Sequence, residues 1–119
     1  PPMPNMTATR LETATWQPFQ IPAEQILEGD PAATVCWIHA SAAGEPTYWS
    51  GLWTAQPSRF RWNFDVHETA HILEGHIRVT EDSGEVREFK AGDIAYFPKG
   101  AKTVWEILAP LKKLFVDAG

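Results

Sequence analysis

An all-β fold is predicted for this chain, and three observations predict it. Short runs rich in β-branched and aromatic residues recur about every eight to twelve residues with turn signals between them. Residues 59–65 (RFRWNFD) alternate Phe60, Trp62 and Phe64 with Arg59, Arg61 and Asn63, the period of two that gives a strand one apolar and one polar face. No sustained helical period and no internal repeat is present.

The elements follow in order. Residues 1–15 open with PPMPNMTATR, rich in proline and poor in apolar matter, and are expected to form a flexible arm that docks on a neighbour. Residues 16–119 form one domain, since 119 residues is the usual size of a single core. Trp16–Phe19 reads as a short edge strand ending at Pro18, and Ala23–Leu27 as a helical turn before the breaker Gly29-Asp30-Pro31. Thr34–Ala40 (TVCWIHA) has the bias of a buried strand, and Tyr48–Thr54 is the next. Pro57 turns the chain into Arg59–Asp65. Thr69–Leu73 follows, then a turn at Glu74-Gly75, then a strand with Ile77 and Val79 facing the core and His76, Arg78 and Thr80 facing out. Asp82-Ser83-Gly84 is a hairpin signal leading into Glu85–Phe89. Ala91-Gly92-Asp93 and Pro98-Lys99-Gly100 bracket Ile94–Phe97, and Lys102–Leu108 and Leu111–Val116 are the last two strands.

Composition narrows the function classes. A net charge of -5 and a pI near 5.3 argue against nucleic acid, because phosphate contact needs a basic face and the Lys and Arg are scattered. Anionic membrane surfaces are disfavoured for the same reason, and no run of about 20 apolar residues is present to span a bilayer. The N-terminus lacks the charged start and apolar stretch of a signal peptide, so a cytoplasmic protein is expected. Cys36 is the single cysteine; in its apolar run it reads as a buried, inert thiol. Six Trp, six Phe and two Tyr supply large side chains for a core and for pocket walls.

Two stretches carry a resemblance. Glu68 and Gly75 keep the glutamate-to-glycine spacing of the first cupin motif, with ILEG at Ile72–Gly75. Gly92, Asp93, Pro98 and Gly100 match the second, G-D-x-x-x-x-P-x-G-x-x-H, position by position. The chain thus resembles the cupins, which implies a double-stranded jelly-roll β-barrel with a pocket between its sheets. GLWTAQPSRFRW, ETAHILEG and PKGAKTVWEIL look like the small single-domain branch related to ureidoglycine aminohydrolase and the ethanolamine-utilisation cupins. That likeness implies a small ureido or amino compound as substrate.

The departures bear on the metal. Where the family places its two first-motif histidines, this chain has Arg61 and Asn63, or Trp62 and Phe64 in the shorter spacing. The second-motif histidine falls at Thr103. Only Glu68 of the four usual ligands survives, and a catalytic divalent metal needs three or more convergent protein ligands. No cofactor is therefore assigned. If a divalent metal binds, Glu68 is its ligand, with His67 or His71 as the partner. Those two histidines lie an odd number of residues from Glu68, so strand alternation points them away from it unless a bulge intervenes.

The expected site is an aromatic cup around Glu68. Trp62 and Phe64 share its parity, Thr103 and Trp105 share a face on the second-motif side, and Tyr96 or Trp53 completes the wall. A carboxyl among rings has its pKa pushed up unless a donor satisfies it, which would suit Glu68 to act as general acid or base. Two functions are open: an enzyme acting on a small molecule, and a non-catalytic binder that has lost its metal-ligand histidines. Trp16, Trp49 and the proline-rich arm, read as exposed, suggest a homodimer.

Overall fold

The computed structural model of the chain describes residues 5–119. Within them the strands are β1 (Gln17–Pro18), β2 (Ile26–Gly29), β3 (Thr34–Ala40), β4 (Tyr48–Ala55), β5 (Ser58–Asn63), β6 (His67–Glu81), β7 (Val86–Lys90), β8 (Ile94–Phe97) and β9 (Lys102–Ala118). All pair antiparallel in one continuous sheet that curls on itself, the jelly-roll barrel expected.

Two long strands form the spine. β6 and β9 pair along their whole lengths, from His67↔Ala118 to Glu81↔Thr103. On one half β9 also pairs β4 and β6 pairs β8; on the other, β9 pairs β5 and β6 pairs β7. The turn predicted at Glu74-Gly75 is absent, and the two strands predicted there are one. The same holds for Lys102–Leu108 and Leu111–Val116, which are both β9. The reason is a bulged corner: the β6/β9 register shifts between Ile72 and Ile77, and Gly75 takes φ 101, a left-handed backbone that glycine supplies without strain. A Cβ there would lie 2.5 Å from the Pro110 carbonyl oxygen. From Ile72↔Lys113 to Ile77↔Ile107 β6 advances five residues against six on β9, so the inward parity of β6 reverses: Glu68, Ala70 and Ile72 point in before the corner and Ile77 and Val79 after it. β9 keeps one inward set, Thr103, Trp105, Ile107, Leu111, Lys113, Phe115 and Asp117.

The N-terminal third departs further from expectation. The helical turn is a 3₁₀ turn at Ala23–Gln25, but Ile26 already belongs to β2, which pairs β5 through Ile26↔Phe60. Residues 1–4 of the predicted arm lie outside the described residues. The remainder packs on its own chain, with a 3₁₀ turn at Leu11–Thr13 and Thr7 Oγ1 donating to the Ile38 carbonyl at 3.1 Å. Cys36 is free and buried beside Thr9. Trp16 and Trp49 are half-buried, not exposed: Trp16 lies under the Lys112 ammonium, and Trp49 faces the interior.

The core is filled by Trp105, Phe60, Ile72, Ile77, Leu111 and Val35, all less than 2% exposed. No helix of the described residues is long and apolar enough to cross a membrane.

Candidate functional site

Three ionisable side chains meet inside the barrel. Glu68 on β6 lies opposite Asp117 on β9 in the ladder, and Lys113, four residues before Asp117 on the same strand, shares their inward face. Glu68 and Lys113 are each 6% exposed and Asp117 8%. Lys113 Nζ donates to Glu68 Oε2 at 2.6 Å. Its ammonium also lies over rings, 4.8 Å from the Trp105 centroid, 5.0 Å from Trp53 and 5.9 Å from Phe115. Ion pair and ring faces together offset the cost of taking this charge out of water.

A cavity of about 200 Å³ opens beside the triad, walled mainly by aromatic side chains. Its rings brace each other edge-on or tilted, Phe19 against Trp53 at 5.9 Å and against Trp62 at 6.0 Å, and Phe60 against Trp62 at 6.3 Å. Phe64, itself part of the wall, stacks flat on Phe97 behind it at 4.9 Å.

Of the residues expected from sequence, Glu68, Trp53, Trp62, Phe64 and Trp105 line this cavity. Thr103 and Tyr96 do not. Thr103 points inward, but its hydroxyl donates to the Trp62 carbonyl at 2.7 Å and so fixes the wall from behind. Tyr96 is on the outer face of β8, its hydroxyl 2.7 Å from His67 Nδ1. His67 and His71 share that outward parity, because the β6 bulge begins only after Ile72.

Sequence reasoning missed Lys113 and Asp117. The signal was present for Lys113, which alternates in step with Leu111 and Phe115 and lies between them; Asp117 keeps that step only because β9 runs past the expected end at Val116 to Ala118. Phe19, Trp37, Trp49, Phe60 and Phe115 also join the wall.

The upward displacement expected of a carboxyl among rings is found at Asp117, whose pKa is pushed up to about 8. Burial is the main cause, followed by the Glu68 charge and a hydrogen bond with the Glu68 carboxyl, while Lys113 pulls the other way. Among the described residues, two buried side-chain polar atoms lack a hydrogen-bond partner, Asp117 Oδ1 and Trp105 Nε1, and both residues line the cavity. Such atoms are rare in native interiors and call for a reason.

A divalent metal, as cupins commonly hold, does not fit this donor set. The Lys113 ammonium already occupies the cation position against Glu68, and among the described residues no three His, Cys, Asp or Glu side chains converge.

The Asp117 pKa predicts a pH dependence. The folded pKa lies above the unfolded value of about 3.9, so between pH 4 and 8 the folded state holds a proton that the unfolded state has released. The Asp117 contribution is therefore full below about pH 4, is lost as pH rises towards 8, and is constant above pH 8. Urea unfolding from pH 5 to 9 should show the wild type losing stability relative to Asp117→Asn up to pH 8, then running parallel; a constant difference throughout would contradict the assignment.

Residues 42–115 match the family model of the EutQ-like cupin domain. A DUF861-family protein from Thermotoga maritima has 38% identity to this chain, with 54% of this chain and 73% of that one covered and a TM-score of 0.54. The Salmonella typhimurium LT2 structure bearing the name ethanolamine utilization protein Q is 23% identical, covers 72% of this chain and 68% of its own, and has a TM-score of 0.63. A DUF861-family protein of unknown function from Pseudomonas syringae gives 0.78 at 18% identity, covering 89% of this chain and 45% of that one; the present chain thus spans under half its length. The last two likenesses, below 25% identity, bear on the fold alone. No curated protein matches the chain.

Proposed function

This chain belongs to the EutQ-like cupin domain family, and from that premise we propose that its aromatic cavity binds a small organic molecule, an amino or ureido compound, against the triad Glu68, Lys113 and Asp117. The observation that carries the reading is a buried ion pair and a second carboxyl at the base of a ring-walled space of about 200 Å³. A core serving packing alone would close that space, because interiors approach crystal density. Small-molecule sites combine apolar walls with a few convergent polar groups and a perturbed pKa in this way.

The same groups support acid–base chemistry. Near neutrality Asp117 holds a proton that a bound nitrogen or oxygen atom can accept, and Glu68 is one hydrogen bond away to share it. Glu68 and Asp117 are therefore the acid–base candidates, with Lys113 fixing Glu68 in place.

Thermal-shift screening against amino and ureido metabolites tests the binding. A ligand at about 100 times its Kd adds roughly 2.7 kcal/mol to the folded state, a rise of several degrees in Tm, and that rise should vanish when Trp62→Ala opens the wall. No response from any class of metabolite would overturn the proposal.

A further inference from the structure

Asp117 is a carboxyl left over. The Glu68 charge is committed to Lys113 at 2.6 Å, and the Lys113 ammonium is covered by three rings. Asp117 Oδ1, on a residue 8% exposed, has no partner among the described residues. When ionised, Asp117 leaves the triad with two carboxylates and one ammonium, an uncompensated negative charge in a low-dielectric space.

The rings nearest it in the ladder are arranged to receive the opposite sign. Asp117 pairs with Trp49 on β4. The Trp49 ring meets Trp37 at 6.4 Å and 76°, and Trp37 meets Phe115 at 5.8 Å and 85°, a corner of three rings. Gly51 lies between Trp37 and Phe115 in the ladder, and a Cβ there would press to 3.1 Å from the Phe115 ring, so the corner depends on that glycine. Trp37 is 40% exposed, which puts the corner in reach of solvent. Ring faces attract cations.

We propose that the ligand of this cavity is a small organic cation, a primary ammonium or guanidinium on a short apolar body, donating an N–H to the Asp117 carboxyl and lying against Trp37, Trp49 and Phe115. The inference rests on the small-molecule reading above and narrows it. An anion is disfavoured because, among the described residues, the one cation facing the space, Lys113, is already paired. The charged groups facing Asp117 are Glu68 from β6 and Lys113 from its own strand; Asp65, on the loop before β6, lines the same cavity, and β3 and β4 present rings there. A cation binds ionised Asp117, so below about pH 8 binding must first displace a proton.

The test follows the indole N–H signals of the tryptophans by NMR while n-butylammonium, 1-butanol or butyrate is added between pH 6 and 9. Butylammonium should shift Trp37 and Trp49, with an affinity that strengthens by up to about tenfold per pH unit from 6 to 8 and then levels. Asp117→Asn should remove that pH dependence and weaken binding at pH 9 by about tenfold or more. Trp37→Leu, at the exposed mouth, should weaken it severalfold. Butyrate binding more tightly than butylammonium, or undiminished binding with Asn at 117, overturns the cation assignment while leaving a ligand cavity in place. Silence from all three compounds overturns the cation assignment too, and the metabolite screen then decides the broader reading.

Discussion

Lys113→Met lowers the stability of the folded chain by about 3–5 kcal/mol, the usual effect of removing one partner of a buried ion pair. The methionine fills much of the same space among Trp53, Trp105 and Phe115, so the loss is electrostatic and not a cavity effect. Glu68 and Asp117 then face each other with no counter-charge, and the folded state must take up protons to survive. The deficit should accordingly be smaller at pH 5 than at pH 8 in urea unfolding. The double variant Glu68→Gln with Lys113→Met, which removes both charges, should regain much of the loss, since deleting a whole buried pair often costs little. A single variant as stable as wild type at pH 8 would mean the pair is not buried as described.

Gly75→Ala is expected to cost at least about 3 kcal/mol, for two separable reasons. The residue must hold φ 101, a region that costs a non-glycine residue about 1–3 kcal/mol. Its new Cβ would lie 2.5 Å from the Pro110 carbonyl and 2.9 Å from that of Ala109, and backbone atoms cannot rotate aside. Gly92→Ala is the control: φ is 99 but nothing lies within 4 Å, so only the backbone part remains, about 1–3 kcal/mol. Equal losses in the two variants would show that β6 and β9 separate freely at the corner.

The strands were legible where period and bias agreed. Thr34–Ala40 and Ile94–Phe97 fall where β-branched and aromatic residues sit between turn signals, and β3 and β8 have those bounds. The corner was not legible as a corner. Gly75 signals a reversal to local reasoning, and only Pro110, distant in sequence and opposite in space, converts that signal into a bend within one strand. β2 was hidden for a similar reason: Ile26-Leu27 follows a genuine 3₁₀ turn, and its pairing with Phe60 is non-local.

The site was half legible. Glu68 and the rings of its own motif followed from parity and the resemblance. Lys113 alternates in step with Leu111 and Phe115 and was legible as inward, although charges are ordinarily solvated; Asp117 lies past the strand end expected at Val116 and is brought in because β9 continues to Ala118. Thr103 was expected in the wall because it shares a face with Trp105, and Tyr96 as an alternative to Trp53. The alternation of β8 turns Tyr96 outward, and the Trp62 carbonyl engages the Thr103 hydroxyl.

β9 is the one strand bonded to β4, β5 and β6 alike. Without it the described strands form only separate ribbons, β1 and β4 with β3, β2 with β5, and β6 with β7 and β8. The strand that joins these ribbons into a closed barrel is also the one that carries Lys113 and the Asp117 carboxyl into its interior.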